Sequence, residues 1–180
     1  MPENDVTRIV TKLVEEMRAA GTPPTEQDLN RLAAHISNGF KATKGEVAIL
    51  RLSPDGAMLN FLFPVRLSVV GAIPMTTTHS LAAKTIREKQ GEIVNNFTVY
   101  KHPTIFEAVN LSAEEKATPI EKIMSSPMMV DGKVVGVIQI SRKVRSGRPA
   151  GPDFTPKDLE RLDTVGTILG KFLAELPSRR

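Results

Sequence analysis

Ser126-Pro127-Met128-Met129-Val130-Asp131-Gly132-Lys133-Val134-Val135-Gly136-Val137-Ile138-Gln139-Ile140 is the stretch on which the architecture turns. It reads as two apolar strands joined at Asp131-Gly132. A type I′ turn needs positive φ at both central residues, and Asp-Gly between apolar runs is a strong hairpin signal. The second strand is apolar at nearly every position, so both of its faces should be covered. Gly136 inside it marks close approach of a neighbouring element, where a side chain would not fit. A basic, Gly/Pro-rich loop follows, and then Phe154-Thr155-Pro156-Lys157-Asp158-Leu159 opens an amphipathic helix.

Pro-apolar strand, Asp-Gly turn, Gly-Val-Ile-Gln-Ile strand, loop, Phe-Thr-x-x-Asp helix start and long final helix follow one another from about Ile120 to Leu173. This ordered set resembles the second half of a GAF domain, a small-ligand and signalling module. The first half follows the same outline of helix, helix, strand, turn, strand and helical linker. The resemblance implies an α/β (α+β) fold, with N- and C-terminal helices packed on one face of a central antiparallel sheet and linker helices on the other.

Working toward the N-terminus, Glu3 to Ala20 is predicted to be an amphipathic helix with Val6, Ile9, Val10, Leu13, Val14 and Met17 on one stripe. Gly21 stops it and Pro23-Pro24 prevent its continuation. Thr25 caps a second helix, with Asp28 completing a capping box. Glu46 to Leu52 and Met58 to Phe63 read as strands about a Ser53-Pro54-Asp55-Gly56 turn. From Pro64 to Thr78 the signal weakens, with Thr76-Thr77-Thr78 reading as extended. Ser80 caps a helix from Leu81 to Lys89 stopped by Gly91, and Glu92 to Asn95 reads as a short strand. The last helix runs from Pro156, with Thr155 as its cap, to about Leu176. The expected division is residues 1–24 as helix and linker, 25–176 as one domain, and 177–180 as a basic tail.

The chain has 180 residues, 41% of them hydrophobic and 24% charged, which is ordinary globular usage and enough for a real core. It shows no membrane-spanning run and no signal-peptide core, so a cytoplasmic protein without membrane contact is expected. Cysteine is absent, which removes disulfides, thiolate nucleophiles and Cys-based metal sites. The net charge of +4 gathers partly in Arg142, Lys143, Arg145 and Arg148, with Arg179 and Arg180 at the tail. No aromatic residues interleave with these cations, so a solvated loop is expected and nucleic acid is not.

The histidines are His35, His79 and His102; no two have metal-site helix spacing, and no Gly-rich phosphate loop or nucleophile elbow occurs. The expectation is therefore no catalytic residue, no metal, no cofactor and no enzyme. GAF-like methionine sulfoxide reductases and bilin-binding photoreceptors use cysteines, and this chain has none. Cyclic-nucleotide GAF domains carry an Asn-Lys after the Gly-Val strand, and a later Phe followed by Asp-Glu. Here Arg142-Lys143 and Phe154 with Asp158-Leu159 stand at those places. A structural ion pair between Lys143 and Asp158 is expected instead.

The resemblance places a ligand between the sheet and the linker after the second strand, roughly Pro64 to Ile123. The candidates there are His79, Ser80, Asn96, Phe97, Tyr100, His102 and Phe106, with Met124, Ser126 and Met128 from the adjoining strand. The resemblance also implies a homodimer through the terminal helices, using Val6, Ile9, Val10, Leu13 and Met17 with Leu162, Ile168, Leu169 and Phe172. The function expected is a dimeric sensory or regulatory module that binds a small molecule of unidentified class and acts on a separate effector protein. The alternatives are a ligand-free dimerisation scaffold and a nucleic-acid-associated regulator using the 142–148 loop.

Overall fold

The computed structural model describes residues 5–69, 71–97, 119–145 and 148–177. Its strands are β1 (Val47–Leu52), β2 (Met58–Phe63), β3 (Ala72–Pro74), β4 (Glu92–Val94), β5 (Ile120–Val130) and β6 (Lys133–Lys143). They form one antiparallel sheet in the order β3-β2-β1-β6-β5-β4. Among the described residues the α-helices are α1 (Asp5–Ala20), α2 (Glu26–Gly39), α3 (Leu81–Glu88) and α4 (Pro156–Glu175).

The β5–β6 hairpin forms as its sequence demands. Asp131 and Gly132 take φ of 49° and 78°, and Val130 pairs with Lys133 across a two-residue turn. Gly136 lies opposite Arg51 of β1, and a β-carbon on it would overlap the Leu50 carbonyl oxygen. Pro127 is tolerated within β5 because β4 pairs only with Ile123, Met124 and Ser125, which leaves β5 an edge strand at Pro127.

Alternation along the strands divides the core in two. Val47, Ile49, Met124, Met128, Ile138 and Ile140 face α2 and α4, while Leu50, Leu59, Phe61, Ile123 and Val137 face α3. This is the α+β arrangement expected, with terminal helices on one face and linker elements on the other. Gly166 and Gly170 let α4 lie directly on β5; β-carbons there would sit 3.4 Å from the Pro127 oxygen and 3.3 Å from the Met129 oxygen. α1 packs chiefly against α2 and α4.

The helix ends carry the caps their sequences encode. Thr25 with Asp28 and Thr155 with Asp158 form reciprocal capping boxes, and the Ser80 hydroxyl accepts from the Ala83 amide. Two features differ from the sequence reading. Lys89, rather than Gly91, ends α3 in a left-handed conformation with φ 53°. The stretch after Pro64 holds a 3₁₀ turn at Val65–Val69 and β3, a three-residue edge strand ending in proline and too short to show a period.

Ser126 points toward α4, where its hydroxyl donates to Asp163 Oδ1 at 2.5 Å. Partial burial of the carboxyl, on a residue still exposed at one side, holds its pKa above the ordinary aspartate value; Ser126 opposes the shift and Glu160 adds to it. The folded chain therefore grips this proton more tightly than the unfolded chain. The stability this provides is complete below the ordinary aspartate range and is lost as pH rises through the raised value. Asp163→Asn keeps an acceptor for Ser126 without the charge. Its melting temperature relative to wild type is expected to climb from about pH 4 to neutrality; a pH-independent difference would refute the assignment.

Candidate functional site

A small cavity of about 70 Å³ lies on the α3 face of the sheet, between the 3₁₀ turn at Lys44–Glu46 with the start of β1, the start of the linker and the far end of β6. Its polar lining is Glu46, Arg66, Gln139, Ser141 and Lys143, set among Val47, Phe61, Leu67, Ile120 and Ile123. Glu46 is committed to structure: Oε1 accepts from the Thr43 amide at 2.9 Å and Oε2 from the Lys143 amide at 2.7 Å. Lys143 Nζ donates to the Gly45 oxygen at 3.0 Å. Burial lowers the Lys143 pKa, Arg66 and Arg145 lower it further, and Glu46 partly opposes them. The ammonium is thus half-dry, with Glu46 as its largest charged neighbour and Arg66 and Arg145 adding positive charge, and a further anion placed there would relieve part of the burial cost.

Behind the cavity runs a buried chain of hydroxyl and amide groups. Gln139 Nε2 donates to Ser125 Oγ at 3.1 Å, Ser125 and Thr85 share a hydroxyl bond of 2.7 Å, and Thr85 Oγ1 donates to the Leu81 oxygen at 2.8 Å. Each hydroxyl has one proton, so Ser125 must be the donor to Thr85. Among the described residues the Gln139 side-chain oxygen keeps no protein partner, and Gln139 lines the cavity.

The sequence-derived candidates divide between the two faces of the sheet. Ser80 and Phe97 are buried on the α3 side, Ser80 as the helix cap and Phe97 within the hydrophobic cluster. His79 and Asn96 are exposed. Met124 and Met128 do not face the linker; both are fully buried in the helix-side core, and Ser126 is bonded to α4. Their shared alternation is as read, but the hairpin's register turns that set toward α4. Tyr100, His102 and Phe106 lie outside the described residues.

The expected Lys143–Asp158 pair does not form. Lys143 turns to Gly45, while Asp158 closes the Thr155 capping box and sits 3.6 Å from Arg161. The helix stripes named for dimerisation are occupied within one copy. Val6, Val10, Leu13, Met17, Leu162, Leu169 and Phe172 are buried in the helix-side core, and Ile9 and Ile168 pack partly buried against it. Each such side chain yields about 1.5–3 kcal/mol of gross burial, so α1 needs no second copy to dock. Arg142 is withdrawn from the basic loop: it is 6% exposed, donates to the Lys41 and Phe40 oxygens, and lies 4.4 Å over the Phe154 ring. Arg142 is therefore not part of an exposed cationic surface with Arg145 and Arg148.

Sequence reasoning passed over Glu46, Arg66, Gln139, Ser141 and the cavity role of Lys143. One signal was present: Gln139 interrupts the apolar run Val137-Ile138-Gln139-Ile140. A lone amide in a strand buried on both faces needs a partner, and here Ser125 supplies it.

Sheet order, helix placement and a cavity on the linker side define the class, and the GAF domain family model matches residues 26–173. The chain belongs to the GAF domain family. No curated protein matches it significantly. Among solved structures it is similar to the GAF domain from Acinetobacter phosphoenolpyruvate-protein phosphotransferase, at 17% identity and TM-score 0.66, covering 97% of this chain and 95% of that one. It is similar also to the nlh2 GAF domain of A. aeolicus in an inactive state, at 16% identity and TM-score 0.64, with 96% and 95% covered. A third is the free methionine-R-sulfoxide reductase from Neisseria meningitidis in complex with its substrate, at 16% identity and TM-score 0.61, with 96% and 88% covered.

That third likeness corrects the expectation that the chain is not an enzyme. A GAF fold of this shape supports catalysis in a reductase, so the fold gives no ground for a non-enzyme assignment. The chain has no cysteine, so a thiol of its own plays no part in any chemistry it performs. Among the described residues no helix is long and apolar enough to cross a membrane.

Proposed function

We propose that this chain is a sensory or regulatory GAF module that binds a small oxyanion, a carboxylate or phosphate, in the cavity between β6 and the start of the linker. The observation that carries this reading is Lys143, half-buried with Arg66 and Arg145 near it and its Glu46 neighbour already committed. Size supports the same class. A cavity of about 70 Å³ holds a few waters or one small anion, well below the ~300 Å³ of typical drug-sized sites. The relay suited to such a site crosses the sheet. Ser125 joins the buried network behind the cavity, and the next residue, Ser126, bonds Asp163 of α4. Successive strand residues point to opposite faces, so a shift of β5 on one side is felt by α4 on the other.

The test is thermal melting in acetate, phosphate and sulfate at constant ionic strength. At a hundredfold excess over its dissociation constant, a ligand adds about 2.7 kcal/mol, or roughly 5–11 °C for a chain of this size. The rise is expected in wild type and in Lys171→Met, whose charge is exposed on α4, and is expected to vanish in Lys143→Met. Equal rises in wild type and Lys143→Met, or none with any of these anions, would sink the proposal.

A further inference from the structure

A second, larger cleft of about 450 Å³ lies along the ends of β1 and β2; of the smaller cavity's lining it shares Phe61. Its walls come from the α1–α2 connection (Pro23, Pro24), from Leu52 and Pro54 at the end of β1, from Leu62 of β2, and from Leu176 and Pro177 after α4. Among the described residues Arg51 is the single charged member of the lining.

Arg51 is an unusual cation. Its guanidinium donates to three carbonyls at the end of α4: Leu173 at 2.9 Å, Leu176 at 2.8 Å and Pro177 at 3.0 Å. All three partners are neutral, and among the described residues no carboxylate pairs with it. Burial depresses its pKa, and among the described residues no acidic neighbour opposes the shift. A guanidinium has five N–H donors, so two remain uncommitted to these carbonyls. Asn60, its cross-strand partner in β2, also lines the cleft, and its exposed amide has no protein partner among the described residues. Directly paired cross-strand side chains stand about 5 Å apart, close enough to grip one carboxylate together.

We infer that this cleft is a second ligand site, for a small organic carboxylate whose compact apolar body lies against Leu29, Leu62, Leu176 and the prolines while its carboxylate meets Arg51 and Asn60. The volume falls within the range of small-molecule sites, and an apolar wall with a few convergent polar groups is their usual make-up. Such a ligand provides the negative charge that Arg51 lacks within the chain. Because Arg51 also holds the last carbonyls of α4, the occupied cleft stiffens the end of that helix. The polar groups meeting the carboxylate, Arg51 and Asn60, are not those of the oxyanion cavity.

The test uses the full chain, labelled with ¹⁵N and titrated with benzoate, with benzamide as its neutral counterpart. Benzoate is expected to shift the amides of Leu52, Asn60, Leu62 and Leu176 saturably, with benzamide at least about tenfold weaker. Asn60→Asp puts a carboxylate beside Arg51 at an exposed position; it is expected to raise the melting temperature and to weaken benzoate by at least about tenfold. Lys143→Met is expected to leave the titration unchanged. Equal binding of acid and amide, shifts confined to residues around Lys143, no saturable shift up to about 10 mM, or undiminished binding by Asn60→Asp would each overturn the inference.

Discussion

Gly136→Ala is expected to lower the melting temperature by about 6–12 °C, the equivalent of about 3 kcal/mol in a chain of this length. The added methyl overlaps the Leu50 carbonyl oxygen and comes within 2.7 Å of Met128 Cε. The methionine can rotate away; the carbonyl cannot, because it belongs to β1, locked between β2 and β6. The sheet must then part where β1 and β6 meet, the seam between its N-terminal and C-terminal halves. Gly132→Ala separates lack of space from backbone conformation. Gly132 has φ 78° with nothing near its missing side chain, so alanine there costs only about 1 kcal/mol of left-handed strain. Thermal melts of the two variants side by side check this, and equal losses would refute the steric account.

Arg142→Met is expected to cost about 2–3 kcal/mol, or roughly 4–12 °C. The guanidinium donates to the carbonyls of Lys41 at 2.9 Å and Phe40 at 3.3 Å, just beyond the end of α2. Its face lies on Phe154, immediately before the cap of α4. One side chain thereby ties β6 to α2 and α4. Methionine restores the apolar volume but leaves the carbonyls without their donor. Among the described residues the buried Arg142 Nε has no acceptor, which offsets part of the gain and holds the expected loss below that of a fully satisfied network. Arg145→Met, three residues on, exposed and with its side chain bonded to Thr43, is expected to change stability by less than about 0.5 kcal/mol. Similar melting losses for the two variants would show that the loop's charge, not the burial of Arg142, matters.

The contrast between Arg142 and Arg145 also shows where sequence reading stops. Both stand in one basic run, and nothing in residue type separates them. Arg142 follows Ser141 at the end of β6, and strand alternation carries it to the helix side, where α2 ends. Ser126, Met124 and Met128 follow the same logic. Their period-2 spacing was plain, but which face they occupy depends on how the hairpin joins β1 and β4. The cavity was invisible for a similar reason: Glu46, Arg66, Gln139 and Lys143 come from separate segments that only the sheet order unites.

What the sequence by itself determined is local. The Asp131-Gly132 turn, the caps at Thr25, Ser80 and Thr155, the space needed at Gly136, and the length of α4 follow from φ requirements, short-range hydrogen bonds and apolar periodicity. These act over a few residues and are written in residue type. The tertiary structure alone decided the rest. It seated β6 between β1 and β5, turned the terminal stripes inward on one another, sent Arg142 under Phe154, and placed Arg51 beneath the end of α4. Each of these outcomes depends on contacts between residues a hundred or so positions apart, selected by the packing of the whole chain and carried by no single segment.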